Sequence, residues 1–306
     1  MSWTEPPAVQ TLDVCVCTFR RASVEATLHS IAAQVLPEGF SLRVVVADND
    51  DAPSARARVQ AAADALELMV DYVHAPARNI STARNACLDA VTADWFAFID
   101  DDETAAPDWI AKLWAARDGV DIVFGVAQAL YAIDAPGWMV RGDYHTNTLA
   151  RERTVISGYT SNVLVRSAVV GALRFDPALG LVGGEDTLFF HALMLGGATF
   201  AFAPDALVFE PVSPARASLG WILKRKYRAG QTHAHLIRTS RPGQIGKVAL
   251  LAAAKSGYSL LGAVACAPMP TRAIQNLTRA VFHAGVVAYS LGGRFYAEYA
   301  KPATSG

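Results

Sequence analysis

Short apolar runs alternate with amphipathic stretches along the first 120 residues of the chain. The apolar runs have the length of buried strands, and each is followed by a segment with helical spacing. The strands are predicted at Asp13–Phe19, Leu42–Ala47, Leu68–Val73 and Trp95–Ile99, with helices beginning near Ser23, Pro53, Ser81 and Pro107. This alternation predicts an α/β fold with a mostly parallel sheet and helices on both of its faces.

Polar side chains follow three of these predicted strands. The strand ends read Thr18-Phe19-Arg20-Arg21, Asp48-Asn49-Asp50-Asp51 and Asp100-Asp101-Asp102-Glu103. Ligands of open α/β sheets bind outside the carboxyl ends of the strands. The sequence therefore predicts a binding site at this edge of the sheet.

The four consecutive carboxylates after the fourth strand have two interpretations. Two like charges about 6 Å apart repel by roughly 2.5–3 kcal/mol at an effective dielectric of about 20, so a compensating interaction is required. One interpretation is a solvated loop that leads into the helix near Pro107, where acidic residues suit the first turn. The other is a site for magnesium or manganese, which bind carboxylate oxygens and share them with substrate phosphates.

The glycine-rich phosphate loops of dehydrogenases and nucleoside triphosphatases are missing. Neither GxGxxG nor GxxxxGK[ST] follows the first strand. A nucleotide bound here therefore needs a metal ion or basic side chains to neutralise its phosphates. This favours the metal interpretation of the acidic loop.

The pattern becomes mixed after Asp121. The segments "DIVFGVAQAL" and "YTSNVLVRS" are predicted strands, "EDTLFFHALMLGG" a short helix closed by glycine, and "TFAFAPDALVFEPV" a bent strand or hairpin. From residue 213 the chain consists of basic and apolar helical segments. We therefore divide it into a first domain, 1–212, and a C-terminal helical region, 213–306.

Charge separates these two regions. The whole chain has 27 basic and 28 acidic residues, yet residues 213–306 contain 13 Lys and Arg and one acid, Glu298. The first 212 residues therefore keep 14 basic and 27 acidic residues.

The long apolar stretches of the second region are interrupted by Lys255 and His283, so spanning helices are not expected. Contact with an anionic membrane surface is one interpretation, and a helical subdomain or dimer contact is the other.

Composition and cysteine usage indicate a globular protein of a reducing compartment. Apolar residues make up 52% of the chain and charged residues 18%. The four cysteines show neither a paired framework nor zinc spacing, and no secretory leader is recognised. We expect a cytoplasmic protein, peripheral at the inner face of the membrane, with no nucleic-acid partner.

The ordered set of motifs resembles glycosyltransferase family 2, the inverting nucleotide-sugar transferases with the GT-A fold. The motifs are "VCVCTFRR", "VVADND", "ARNISTARNACLDAV", "FIDDDE" in the place of the Asp-x-Asp motif, and "GGEDTLFF" in the place of the catalytic-base motif. The variants "CTFRR" and "DDDE" are similar to those of bacterial exopolysaccharide and succinoglycan-type glucosyltransferases. The resemblance covers roughly Leu12 to Arg238.

The resemblance implies a role for each matching residue. Asp186 would be the general base and Glu185 would hold it or an acceptor hydroxyl, although Asp186 could instead only cap its helix. Asp102 would bind Mn²⁺ or Mg²⁺, with Asp100 contacting the same ion or the ribose. Asp48 would contact the base. The other nucleotide-site residues would be Thr18, Phe19, Arg20, Asp50, Arg84 and Asp101.

The implied reaction is metal-dependent, inverting transfer of one hexose from a nucleotide sugar to a lipid-linked or growing surface-polysaccharide acceptor. UDP-glucose is the expected donor, with UDP-galactose and GDP-mannose open. The Gln-x-x-Arg-Trp motif of processive synthases is absent, which favours single-sugar addition. The alternatives are a nucleotide-sugar pyrophosphorylase and a non-catalytic scaffold or carbohydrate-binding protein on the same fold.

Overall fold

The computed structural model describes residues 10–36, 38–149 and 158–295. These residues form two compact units. The first contains the described residues of Met1–Gln128, Thr146–Gly180 and Glu185–Glu210, and the second those of Ala129–His145, Leu181–Gly184 and Pro211–Gly306. The second unit thus includes two segments from before residue 212, and the predicted boundary at that residue stays a prediction.

An eight-stranded sheet with the order β3-β2-β1-β4-β7-β6-β8-β5 spans the first unit. Its strands are β1 (Gln10–Thr18), β2 (Phe40–Asp48), β3 (Met69–His74), β4 (Trp95–Asp100), β5 (Thr104–Ala105), β6 (Ile122–Leu130), β7 (Asn162–Arg166) and β8 (Phe200–Pro211). The first four strands pair in parallel, whereas β7 pairs antiparallel with β4 and β6. The mostly parallel α/β fold predicted from the sequence is confirmed for this half of the sheet.

The helices of the first unit connect or follow these strands. They are α1 (Val24–Ala32), α2 (Arg56–Leu66), α3 (Ile80–Ala90), α4 (Trp109–Ala115), α6 (Ser167–Val170) and α7 (Glu185–Leu195), and α5 (Gly137–Gly142) lies in the second unit. Each predicted strand and helix of the first 120 residues is present, and the strand bounds and helix starts differ from the predicted ones by at most three residues. The segment predicted as a bent strand or hairpin forms the single strand β8, so the hairpin alternative was wrong.

Both faces of the sheet are covered by apolar residues. Along β1, Val14 and Val16 belong to one buried cluster and Cys15 to the other, as the two-residue period of a strand requires. The first cluster also contains Trp109 of α4, and the second contains Phe190 of α7. Two-sided burial explains why the strands read as nearly continuous apolar runs.

Three long helices dominate the second unit: α8 (Leu219–Ser240), α9 (Ile245–Ala265) and α10 (Pro270–Ser290). The hydroxyl of Ser256 donates to the carbonyl of Ala280, and Gly262 lies against Asn276. The later residue of α9 thus lies against the earlier residue of α10, so the two helices run antiparallel. Among the described residues, one helical stretch, Pro242–Ala265, is long and apolar enough to cross a membrane by length and composition alone. Lys255 therefore does not interrupt the apolar run as strongly as the sequence analysis assumed.

Candidate active site

The strand register brings the predicted site residues to one edge of the sheet. Thr18 at the end of β1 pairs with Asp48 at the end of β2, and Cys17 pairs with Asp100 at the end of β4. Parallel strands place their carboxyl ends together. Thr18, Asp48 and Asp100 therefore lie at the same edge, as predicted.

Arg84 of α3 joins the end of β4 to the start of α7. Its guanidinium forms an ion pair with Glu185, and both side chains are almost fully buried. A second nitrogen of the same guanidinium is 4.0 Å from the Asp100 carboxylate. Burial lowers the pKa of Arg84, but the charges of Glu185, Asp100 and Asp186 outweigh burial and raise it. Arg84 is therefore a fixed positive charge among Glu185, Asp100 and Asp186.

Side-chain hydrogen bonds hold α3 in place. The Asn79 side chain caps the helix by accepting from the backbone N–H groups of Ser81 (3.0 Å) and Thr82 (3.3 Å). Asn85 binds both backbone groups of Phe175, and the Arg84 guanidinium lies 5.6 Å from the centre of the Phe175 ring. The motif around Arg84 therefore consists of residues that cap the helix, anchor it and orient the arginine.

Asp186 lies in the first turn of α7, immediately after Glu185. Gly183 and Gly184 precede the helix with φ values of +83° and +93°, a backbone region that side chains rarely adopt. Burial and then the neighbouring Glu185 charge raise the pKa of Asp186 to about 6. One Asp186 oxygen accepts the backbone N–H of Thr187 at 2.6 Å. A carboxylate with a pKa close to neutrality is suited to accept a proton.

Arg21 binds two of the four consecutive carboxylates. Its Nη1 is 2.8 Å from an oxygen of Asp101 and 2.7 Å from an oxygen of Asp102. Burial is the largest influence on Asp101 and raises its pKa to about 6, although Arg21 lowers it. The arginine after the first strand thus offsets part of the repulsion that the sequence analysis identified.

Glu103 points into the protein. It is fully buried, and its carboxyl oxygen accepts the backbone N–H of Asp100 at 3.0 Å. The Thr27 hydroxyl donates to the Glu103 carbonyl at 2.7 Å. Burial, followed by the charge of Asp100, raises the pKa of Glu103 well above its usual range. Glu103 therefore fixes the turn after β4, and it is not an additional ligand-facing carboxylate.

A third ion pair links the ends of β1 and β2. Arg20 binds Asp50 through two nitrogens, each 2.8 Å from a carboxylate oxygen, and this lowers the pKa of Asp50 to about 2. The Arg20 guanidinium also lies 5.2 Å from the centre of the exposed Phe19 ring. These three predicted nucleotide-site residues are therefore neighbours in the structure.

Asp48 is enclosed by its own chain. Its two oxygens accept hydrogen bonds from the N–H groups of Asp50 (3.1 Å) and Ala55 (2.8 Å) and from the Tyr72 hydroxyl (2.5 Å). These contacts close the turn between β2 and α2. Contact of Asp48 with a nucleobase stays a prediction.

The predicted residues thus form linked groups at one sheet edge, and four of their partners were not singled out from the sequence. Arg21 was read only as part of a polar strand end, Glu103 was grouped with its acidic neighbours, and Asn79 and Asn85 were noted only within a motif. The signal for Arg21 was its position, since two arginines after one strand face two acidic strand ends. Glu103 gave no sequence signal that separated it from the aspartates.

Comparison with known proteins identifies the family of the chain. Residues 13–172 match the family model described as "Glycosyl transferase family 2". The chain belongs to glycosyltransferase family 2. It is 44% identical over 302 residues to the succinoglycan biosynthesis protein ExoM of Rhizobium meliloti (strain 1021), which covers 96% of this chain and 97% of that protein. The family membership identifies the chain as a glycosyltransferase and sets the pyrophosphorylase alternative aside.

Solved structures support the GT-A fold. The mannosyltransferase PcManGT from Pyrobaculum calidifontis, in complex with GDP-Man and Mn²⁺, superposes with a TM-score of 0.60 at 20% identity, covering 92% of this chain and 86% of that one. S. aureus TarS 1-349 in complex with UDP superposes with a TM-score of 0.53 at 18% identity, covering 94% and 93%. Both likenesses concern the fold.

Proposed function

We propose that the chain transfers one hexose, with inversion and with the help of a divalent metal ion, from a nucleotide sugar to a surface-polysaccharide intermediate. The single observation that carries this proposal is the cluster of Arg84, Asp100, Glu185 and Asp186 at the end of β4, where a carboxylate with a raised pKa lies beside a buried ion pair. The 44% identity to a succinoglycan biosynthesis protein supports the polysaccharide context. UDP-glucose is the proposed donor.

Asp186 has the properties of the base that inverting transfer requires. The acceptor hydroxyl forms a bond to the anomeric carbon while its proton moves to a carboxylate oxygen and the bond to the nucleoside diphosphate breaks. Because burial and Glu185 raise the pKa of Asp186 to about 6, the carboxylate is deprotonated near pH 7 and accepts a proton more readily than an ordinary aspartate. The ion pair with Arg84 fixes Glu185, so Glu185 positions the start of α7.

The acidic loop offers carboxylate oxygens, the ligands that Mn²⁺ and Mg²⁺ prefer. The Asp100 and Asp102 side chains are 42% and 25% exposed, so carboxylate oxygens are accessible at this edge. The described residues contain no group of three or more His, Cys, Asp or Glu side chains able to hold an ion. The proposed ion would take one or two of the Asp100 and Asp102 carboxylates and fill its coordination with phosphates and water. When bound, such an ion would stabilise the charge that develops on the leaving diphosphate.

The nucleotide would lie along the ends of β1, β2 and β4. Thr18, Phe19 and Arg20 form the turn after β1, and Asp50 holds Arg20 beside it. We propose that this turn and Arg84 line the donor site, and that Asp48 supports the base through the turn it closes. Arg21 holds Asp101 and Asp102, so it is a positioning residue for the metal ligand.

We further propose that the acceptor is lipid-linked and that the enzyme works at the cytoplasmic face of the membrane. The basic composition after residue 213 supports an anionic surface as partner.

The transfer reaction tests this proposal. The purified chain, supplied with labelled UDP-glucose, Mn²⁺ and a lipid extract from a polysaccharide-producing bacterium, is expected to move label into the lipid fraction as a β-linked glucose. Extract from cells unable to make lipid-linked oligosaccharides is the control and should accept no label. An α-linked product would contradict inversion, and label from GDP-mannose alone would contradict the donor.

The pH dependence of kcat/KM should report the pKa of the Asp186 carboxylate. Activity is expected to rise with pH through about 6 and to fall tenfold per pH unit below that value, because only the deprotonated base accepts the acceptor proton. The measurement is initial rate between pH 5 and pH 8 with saturating metal. An acidic limb centred near pH 4, the value of an unshifted aspartate, would contradict the assigned environment of Asp186.

A further inference from the structure

The face of α9 that points away from α10 is apolar. Its exposed large side chains recur at helical spacing over about 21 Å of helix. They are Leu250, Leu251, Tyr258, Leu260, Leu261 and Val264, which we call the α9 face. In ordinary soluble helices the exposed side is the polar one. The α9 helix has the opposite pattern and therefore presents a surface that water does not favour.

The other side of α9 is already occupied. Ala252 and Ser259 are buried, the Ser256 hydroxyl donates to the Ala280 carbonyl at 3.0 Å, and a side chain at Gly262 would meet Asn276. These contacts bind α9 closely to α10 along its length. The α9 face is therefore a fixed surface of the second unit.

The helix that carries this face also carries exposed lysines and no acid. Lys247 and Lys255 are exposed on α9 itself. Residues 213–295 contain 12 Lys and Arg and no Asp or Glu. An apolar face on a helix with basic neighbours matches the chemistry of an anionic phospholipid surface, where acyl chains meet the leucines and phosphates meet the lysines.

We propose that the α9 face is the membrane-binding surface of this enzyme and that α9 lies in the plane of an anionic phospholipid leaflet. This inference rests on the proposed function, since a lipid-linked acceptor would be held in the same membrane. It deepens that function by naming the residues that make the contact and the class of lipid they bind.

The contacts of α9 favour a helix that lies on the membrane over one that crosses it. A spanning α9 would take the closely packed α10 with it or separate from it. The α10 helix contains Arg272, Arg279 and His283, and each charged side chain in the hydrocarbon core is costly. Lying in the interface keeps the contacts between α9 and α10 and leaves those side chains in a polar environment.

A second copy of the chain is a less favourable occupant. Two copies meeting at the α9 face would bring together two sets of basic side chains. No acid lies between residues 213 and 295 to compensate them. Like charges brought close together repel, whereas a leaflet with negative headgroups attracts both lysines.

Vesicle co-sedimentation of the full chain tests this inference. Vesicles with about one-third phosphatidylglycerol should bind the chain, and pure phosphatidylcholine vesicles should bind it more weakly. Leu261→Glu, at a residue that is 73% exposed, should reduce the partition coefficient at least about tenfold. The matched control is Leu195→Glu, at a residue 69% exposed at the end of α7, which should change it less than about twofold.

Three outcomes would overturn the inference. The first is equal vesicle binding by the two variants. The second is a lipid-free dimer, seen by sedimentation velocity, that Leu261→Glu dissociates while vesicles bind nothing. The third is bound protein that alkaline carbonate fails to release, which would indicate a spanning helix.

Thermal unfolding with UDP and Mn²⁺ on the same samples separates this inference from the proposed function. A Leu261→Glu chain that loses vesicle binding but keeps its nucleotide response supports the surface and leaves the function intact. Normal vesicle binding by a chain without any nucleotide response would leave the surface standing and contradict the function.

Discussion

Asp186→Asn is expected to lower kcat by about 10²–10⁴-fold while leaving the affinity for the nucleotide sugar within about twofold. Asparagine keeps the size of the side chain and its hydrogen bond to Thr187, but it cannot accept the acceptor proton. The reaction then depends on water as the base. The measurement is steady-state transfer together with donor binding by calorimetry.

Asp118→Asn is the control for this variant, since it makes the same change at an exposed aspartate of the turn before β6. Its kcat should be unchanged. Full transfer activity in Asp186→Asn would contradict the base assignment and return Asp186 to a helix-capping role. Loss of donor binding in the same variant would instead indicate that Asp186 shapes the nucleotide site.

Asp186→Asn should also make the protein more stable than the wild type at neutral pH. The folded pKa of Asp186, about 6, lies above the usual value of 3.8, so the contribution of the protonated group is lost as pH rises through 6. An asparagine has no charge to desolvate. We expect the free energy of unfolding of Asp186→Asn to exceed that of the wild type by about 1–3 kcal/mol at pH 7 and to equal it near pH 3.5.

Arg84→Met is expected to lower the free energy of unfolding by about 3–5 kcal/mol and to abolish transfer. Both members of the Arg84–Glu185 pair are buried, so removing the arginine leaves the Glu185 charge without a partner. Asp100 and Asp186 lose the same positive neighbour. Urea unfolding at pH 7 measures the stability change.

Two further variants separate the charge effect from packing. Arg84→Met/Glu185→Gln should recover most of the lost stability, because the unpaired charge is gone. Arg174→Met breaks the exposed pair between Arg174 and Asp89 and should cost at most about 1 kcal/mol. A cost for Arg84→Met as small as that for Arg174→Met would contradict a buried, energetically important pair.

Hydrophobic patterning was sufficient to predict the first half of the fold. The strands from β1 to β4 are buried on both faces and have the apolar runs that such burial requires, so their positions and parallel direction followed from the sequence. The antiparallel strands β6 to β8 pair over long sequence separations, which no local pattern specifies. The apolar α9 face was also hidden in sequence, because a period alone does not say which side of a helix is covered.

The candidate site was predictable in its location and less so in its contacts. Asp100, Asp102 and Asp186 were assigned from motif positions, and the strand register places Asp100 at the expected edge. The pairing of Arg84 with Glu185 depends on how α3 and α7 pack, which involves residues 101 positions apart. The inward turn of Glu103 depends on the loop backbone, and no sequence period distinguishes it from its neighbours.

The most direct test of metal-dependent nucleotide-sugar binding is thermal unfolding of the chain with UDP, GDP, CDP and dTDP, each with and without Mn²⁺, beside Asp102→Ala. A ligand at about one hundred times its dissociation constant adds about 2.7 kcal/mol, which should raise Tm by roughly 4 °C for a chain of this size. We predict this rise for UDP only, with Mn²⁺ present, and its loss in Asp102→Ala. A folded wild-type chain whose Tm responds to none of the four nucleotides, or responds equally without Mn²⁺ and in Asp102→Ala, would contradict the account.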